Sequence, residues 1–270
     1  FFISKVGGIV YKIENSSLER VDKSLDNRLL SDSYIFSHND TIFRYGGYGF
    51  WSQRNFMIYF DEDFKEWELY PSKNNSYSPE GSYKGIHFKN DNNIYFIGGY
   101  SVDSTISIID VYSDMLVSTL TVGDKPSGVV ADINNDIWVL CSGATYYDAN
   151  WNVESETQGK LVKISNGEIV SSFSFELGNH PKGLMINESK DVLYFNNGNF
   201  STSIYSFNIS NTTLPSNPII NRSFYKTALD NNYIYGTDAV DYVQNGWSYK
   251  YNLQGNLLDS VQVSVIPGNY

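Results

Sequence analysis

The chain is poor in the residues that most often declare a chemistry. It has one cysteine in 270 residues, Cys141, so no internal disulfide framework is possible. It has three histidines, His38, His87 and His180, and none lies at metal-ligand spacing from another His or from the Cys. Basic residues are scarce: 19 Lys and Arg stand against 30 Asp and Glu, a net charge of −11. Without a basic footprint, a nucleic-acid backbone is excluded as the expected partner, and anionic lipid is disfavoured for the same reason. No run of 18 apolar residues occurs, so no membrane-spanning helix is expected. Neither a nucleophile elbow nor a phosphate-binding loop is present. No signal peptide is visible and the sequence does not begin with Met, which reads as a processed or trimmed product.

What the chain does have is aromatic and repetitive. Tyr occurs 22 times and Phe 16 times, while charged residues make up 18%. That balance suits twisted sheets packed face to face, whose pleats aromatic and β-branched side chains fill. A short hairpin signal recurs as His38-Asn39-Asp40-Thr41-Ile42-Phe43, Asp91-Asn92-Asn93-Ile94-Tyr95-Phe96, Asn134-Asn135-Asp136-Ile137-Trp138-Val139, Lys190-Asp191-Val192-Leu193-Tyr194-Phe195 and Asp230-Asn231-Asn232-Tyr233-Ile234-Tyr235. A partial copy opens the chain, Phe1-Phe2-Ile3-Ser4, and Gly-containing breaks follow most copies. Self-similarity every 40–50 residues or so, with four strands per unit, is the signature of a β-propeller.

Each unit reads as four strands. The first carries a small residue at its third position, as in Tyr83-Lys84-Gly85-Ile86, Pro126-Ser127-Gly128-Val129, Pro181-Lys182-Gly183-Leu184 and Tyr225-Lys226-Thr227-Ala228. Crowding of inner strands near a propeller axis explains that choice. The third strands alternate as half-buried strands do and begin at residues 9, 56, 106, 161, 204 and 249. The fourth strands are more polar, as outer edges should be. The expected fold is therefore all-β: a single domain over residues 1–270, a six-bladed β-propeller, with seven blades as the alternative. Phe1–Ser4 is expected to pair with the strand starting at Tyr249 and to lie beside Val265–Asn269, so that the two termini share one blade.

Gly46-Gly47, Tyr59, Asp61, Trp67 and Gly98-Gly99 fall in kelch order, and residues 1–100 resemble kelch repeats, although one unit alone carries the Trp. From residue 101 the carrying segments are Ser107-Ile108-Ile109-Asp110, Val122-Gly123-Asp124-Lys125-Pro126-Ser127-Gly128, Ile137–Gly143, Gly159–Val162, Gly178–Pro181 and Asp238–Val243. These resemble the YVTN-type, surface-layer-like propellers of Bacteroidetes surface lipoproteins. That resemblance implies an extracellular or cell-surface location at the outer membrane, held by a tether outside this chain, beside transport or secretion complexes. It also implies capture of ligands such as corrinoids.

The connections between second and third strands, and between blades, should emerge on one face, and they are long and aromatic. The candidate ligand-binding residues there are Trp51, Arg54, Tyr77, Tyr146, Tyr147, Trp151, His180, Arg222, Tyr242 and Trp247. Aromatic faces beside amides and acids suit flat or amphipathic small molecules and glycans. No catalytic, metal or cofactor residue is assigned. Asp61-Glu62-Asp63 reads as a solvated turn, Asp238 and Asp241 as caps, His87 as a packed histidine and Cys141 as a small buried residue. The expected function is non-enzymatic binding, with an outer-membrane protein complex as the alternative partner and a propeller-type lyase or hydrolase as the enzymatic alternative.

Overall fold

The computed structural model describes residues 2–3, 8–24, 31–49, 52–54, 56–70, 85–90, 93–97, 104–110, 115–199 and 201–268. Among them there is no helix. Twenty-six strands pair antiparallel throughout, and they fall into two compact units, Phe1–Thr121 and Val122–Tyr270.

In the first unit β1 (Phe2–Ile3), β2 (Val10–Glu14) and β3 (Ser17–Arg20) form a three-stranded sheet. The next sheet runs β4 (Tyr34–His38), β5 (Thr41–Tyr45), β8 (Met57–Asp61) and β9 (Glu66–Leu69). A two-stranded ribbon, β6 (Tyr48–Gly49) and β7 (Ser52–Gln53), is inserted between its second and third strands. A third sheet joins β10 (Ile86–Asn90), β11 (Asn93–Ile97), β12 (Thr105–Asp110) and β13 (Met115–Thr121).

The second unit repeats the plan. Its first sheet is β14 (Pro126–Ala131), β15 (Ile137–Cys141), β18 (Lys160–Ser165) and β19 (Glu168–Ser174). It too carries a ribbon between second and third strands, β16 (Thr145–Tyr147) with β17 (Val153–Glu156). Then come β20 (Lys182–Ile186), β21 (Val192–Gly198) and β22 (Thr202–Asn208), with an isolated Ile204–Ile220 bridge in place of a fourth strand. The last sheet is β23 (Lys226–Leu229), β24 (Tyr233–Asp238), β25 (Trp247–Asn252) and β26 (Leu257–Gln262).

The turn residues explain the register. His38 pairs with Thr41, and the two residues between them, Asn39 and Asp40, sit at φ 46° and 60°. Both central residues left-handed is the mirror-image hairpin turn whose twist matches that of the strands, and Asn and Asp tolerate it. Asn15-Ser16 and Asn166-Gly167 close their hairpins in the same way.

Alternating apolar residues fill the spaces between sheets. Tyr34, Phe36, Phe43, Tyr45, Ile94 and Phe96 make one core in the first unit. In the second unit Trp138, Leu140, Leu161, Phe195 and Phe207 make another. Cys141 is fully buried within its strand. The outer strands β3 and β26 are exposed along their length, as edge strands of a layered β fold are. The crowding expected of inner strands is real at Gly128: a Cβ there would lie 2.6 Å from Leu184 Cβ on the neighbouring inner strand.

The expected sharing of a blade by the termini differs from what is seen. Phe2–Ile3 pairs with Val10–Tyr11. The strand containing Tyr249 has both edges filled within its own sheet, by β24 and β26. The tight Asn252–Gly255 turn closes β25 onto β26 locally, at a lower entropy cost than recruiting a distant terminus. Residues 263–268 are not a strand; Val265 and Ile266 lie in a bend, with Ile266 at φ 51°.

Candidate aromatic binding face

Seven of the candidate residues lie in the second unit, in two groups. The first is the ribbon β16–β17. Gly143 turns the chain out of β15 in a left-handed conformation, φ 74°. Reciprocal bonds then fix the ribbon's base: Thr157 N–H donates to the Ala144 carbonyl at 2.8 Å, and Ala144 N–H donates to Thr157 Oγ1 at 2.9 Å. At the tip, Asp148 Oδ1 accepts from the backbone N–H groups of Asn150 and Asn152, each at 2.8 Å. These bonds, with the Asn152 side-chain amide first, hold the Asp148 carboxyl below its usual range.

The cap fixes Trp151 at φ 64°, and the residue is 82% exposed. A bulky residue in the left-handed region stores about 1–3 kcal/mol of strain, and such strain gathers where side chains are aimed for a task. Tyr147 lies 6.2 Å from Trp151, ring to ring. Tyr146 and Val153 are exposed beside them.

His180 braces the ribbon. Its Nδ1 lies 3.0 Å from the Ser142 carbonyl, which can only accept, so that nitrogen carries the proton. Its Nε2 lies 3.2 Å from Thr145 Oγ1, which in turn reaches Glu156 Oε1 at 3.3 Å. With both ring nitrogens engaged, His180 positions the ribbon.

The second group is on the last sheet. The Arg222 guanidinium lies 4.3 Å above the Tyr249 ring and 3.9 Å from Asp238 Oδ2. Trp247 stacks on Tyr249 with centroids 6.4 Å apart. Tyr242, at φ 66° and exposed, packs edge-on against Tyr225 at 5.7 Å. Tyr225 and Tyr249 were not singled out in the sequence, though a Tyr two residues past Trp247 on one strand face is the signal that could have found the second. Asp238 and Asp241 cap the intervening turn, accepting from the backbone N–H groups of Val240, Val243 and Gln244.

In the first unit, Arg54 follows the β6–β7 ribbon, with its N–H on the Gly47 carbonyl at 2.9 Å. Trp51 and Tyr77 lie outside the described residues. Two concavities are lined by the described residues of this unit. One, of about 630 Å³, lies between the ends of β4 and β10 and is lined by Asp32, Ser33, Tyr34, Gly85, Ile86 and His87. The other, of about 810 Å³, lies at the opposite end of β4 beside the Asn39–Asp40 turn and Lys89. Asp32 and Ser33 were missed in the sequence, where they read as connecting chain. Among the described residues no cluster of three His, Cys, Asp or Glu could hold a metal ion.

No protein-family model matches the chain, and no curated protein matches it. Solved structures do. A prolyl endopeptidase, studied for the role of inter-domain dynamics in catalysis and specificity, superposes with a TM-score of 0.56 at 10% identity, over 94% of this chain and 36% of that one. The hydrazine synthase of Kuenenia stuttgartiensis gives 0.53 at 12% identity, over 83% and 62%. The C-terminal WD40 domain of Sif2 gives 0.53 at 11% identity, over 93% and 65%. The chain thus spans between about a third and two thirds of these neighbours' lengths. WD40 domains are β-propellers, and likeness at such identities defines the fold alone: an all-β chain of propeller type.

Proposed function

We propose that this protein is a non-enzymatic, six-bladed propeller that captures a small or medium ligand, a glycan or a corrinoid, at the cell surface through its aromatic loop face. The observation that carries this reading is the β16–β17 ribbon. A rigid four-stranded sheet presents Trp151 82% exposed, with Tyr147 beside it. Exposed aromatics of this size lose apolar contact with nothing in the fold, and they offer flat surface to C–H and π groups of a ligand. Among the described residues, six sheets of three or four strands support the blade count, and the YVTN-type and kelch-like segments support an outer-membrane lipoprotein relationship. A second reading, docking to a protein partner, is favoured by the exposed apolar turn at Val240 and Val243.

The test is a thermal-shift and native mass-spectrometry screen against glycans and corrinoids, repeated on Tyr147→Ala/Trp151→Ala. Loss of the hit in the variant, with an unchanged melting temperature, supports capture at the ribbon. A hit that survives the double substitution overturns it, and the absence of any hit moves the reading to the protein partner.

A further inference from the structure

We propose that the cavity between β4 and β10 in the first unit is a second, distinct site, which takes a small molecule bearing an ammonium group, with Asp32 as its counter-ion and His87 as a hydrogen-bond acceptor. Its volume, about 630 Å³, is within the range of small-molecule pockets. Ile35 and Ile86 supply apolar wall, and Gly85 lines it without a side chain.

Asp32 is the unusual group. It is half-buried, and among the described residues its carboxylate has neither an ion pair nor a hydrogen-bond donor. A carboxylate that lines a cavity and has no partner of its own is available as counter-ion to a bound cation. Its direction is set by its neighbours on both sides. Ser31 exchanges both backbone bonds with Tyr48, at 2.9 and 3.0 Å. Ser33 Oγ accepts from Arg44 Nε at 2.9 Å. Between these anchors Asp32 stands at φ 52°, a conformation that Asp and Asn adopt more readily than other side chains.

Among the described residues no cation pairs with that carboxylate. Arg44, behind Ser33, is 1% exposed and lies 5.4 Å over the Trp67 ring. Burial lowers its pKa to about 10, while the charge of Asp22, itself buried, acts the other way. Arg44 is bonded to Ser33 and makes no ion pair with Asp32, while Asp22 lies 3.7 Å from Arg20.

His87 supplies the second acceptor. Its ring sits edge-on to Tyr34, with centroids 6.0 Å apart. Burial pushes its imidazole below the ordinary value, against a hydrogen bond to the Ile35 backbone. A neutral imidazole whose N–H serves a carbonyl keeps a lone pair on its other nitrogen. Carboxylate and imidazole lone pair together call for N–H donors carrying positive charge. An anionic ligand would meet Asp32 as a like charge, and a neutral alcohol would leave that charge unpaired.

This inference is independent of the aromatic ribbon. The test uses the full chain and three probes that share a phenethyl stem, at low ionic strength: phenethylammonium, 2-phenylethanol and 3-phenylpropionate, titrated by NMR. Phenethylammonium is expected to bind at least tenfold more tightly than the alcohol, and the acid not at all. Asp32→Asn, which keeps the left-handed backbone, should abolish that preference without changing the melting temperature. His87→Phe, which keeps the ring packing, should weaken the ammonium probe. Tyr147→Ala/Trp151→Ala should leave it untouched. The proposal is overturned if no probe binds, if the alcohol or acid binds as well as the ammonium compound, or if Asp32→Asn retains the preference.

Discussion

Replacing Asp132 by Asn should cost far more than the loss of one charge. Asp132 is completely buried at the β14–β15 hairpin. Its Oδ1 accepts from the backbone N–H groups of Asn134, at 2.8 Å, and Asp136, at 3.1 Å. Its Oδ2 accepts from Trp138 Nε1 at 2.9 Å and lies 3.7 Å from Lys163 Nζ. Every group facing this carboxylate is a donor. An amide has one oxygen, so the Asn can serve either the two backbone donors or the indole, and turns its own N–H₂ toward the others. One buried donor is then stranded, at about 1–3 kcal/mol. At about 2 kcal/mol the melting temperature should fall by roughly 4–8 °C for a unit of this size. Ala, which loses all three bonds, should cost about 3–5 kcal/mol. The decisive assay is a urea denaturation cycle with Trp138→Phe. Phe keeps an aromatic ring there without the N–H, and the cavity it leaves cancels in the cycle, so Asp132→Asn should be about 1 kcal/mol less costly in that background. If Asp132→Asn lies within experimental error of wild type, or is additive with Trp138→Phe, the donor-counting argument is refuted.

Gly128→Ala should destabilise by about 1–3 kcal/mol through its contact with Leu184 Cβ, and it should cost less in a Leu184→Gly background, which removes that Cβ, in the same melting experiment. Burial pushes the Cys141 thiol up to about 12, so iodoacetamide at pH 8 should leave the native protein unmodified and alkylate it fully in urea. Burial pushes the Asp136 carboxyl up, but hydrogen bonds from Lys163 and Ser165 win and hold it below its usual value. Its contribution to stability is therefore complete above the ordinary carboxylate range and is lost as pH falls through the lower folded value, so Asp136→Asn should flatten the decline in urea midpoint between about pH 5 and pH 3.

Strands and turns were legible because each rests on short-range chemistry. The alternation in Ile106–Asp110 and Leu161–Ile164 places successive residues on opposite sheet faces, and β12 and β18 follow it. Asn39-Asp40 states its turn type outright, since few other pairs accept two left-handed residues. Gly128 was legible as a crowding signal. The ribbon β16–β17 was read as a loop carrying Tyr146, Tyr147 and Trp151, because three- and four-residue strands leave too short an alternation to detect. Terminal pairing was misjudged because edge complementarity in sequence says nothing of which edge is already taken. Here β26 had filled the place.

The site residues divide along the same line. Trp151 and Trp247 could be marked from residue type, since a large aromatic in a connection is informative wherever the connection goes. Asp32 could not. A single Asp between two Ser residues is ordinary connecting chain, and nothing in its neighbours announces a site. Its meaning comes from two long-range facts: Ser31 is locked to Tyr48, and Ser33 is locked to Arg44. Those bonds set the direction of the carboxylate and bring it to the cavity that His87 also lines. His87 itself was read rightly as a packed ring, yet a packed ring with one nitrogen facing a carbonyl still has a second nitrogen to offer. Side-chain chemistry is written locally, but the partners that leave a group unsatisfied are assigned by the fold, so recognition sites made of commonplace residues emerge only when the inner strands are brought together.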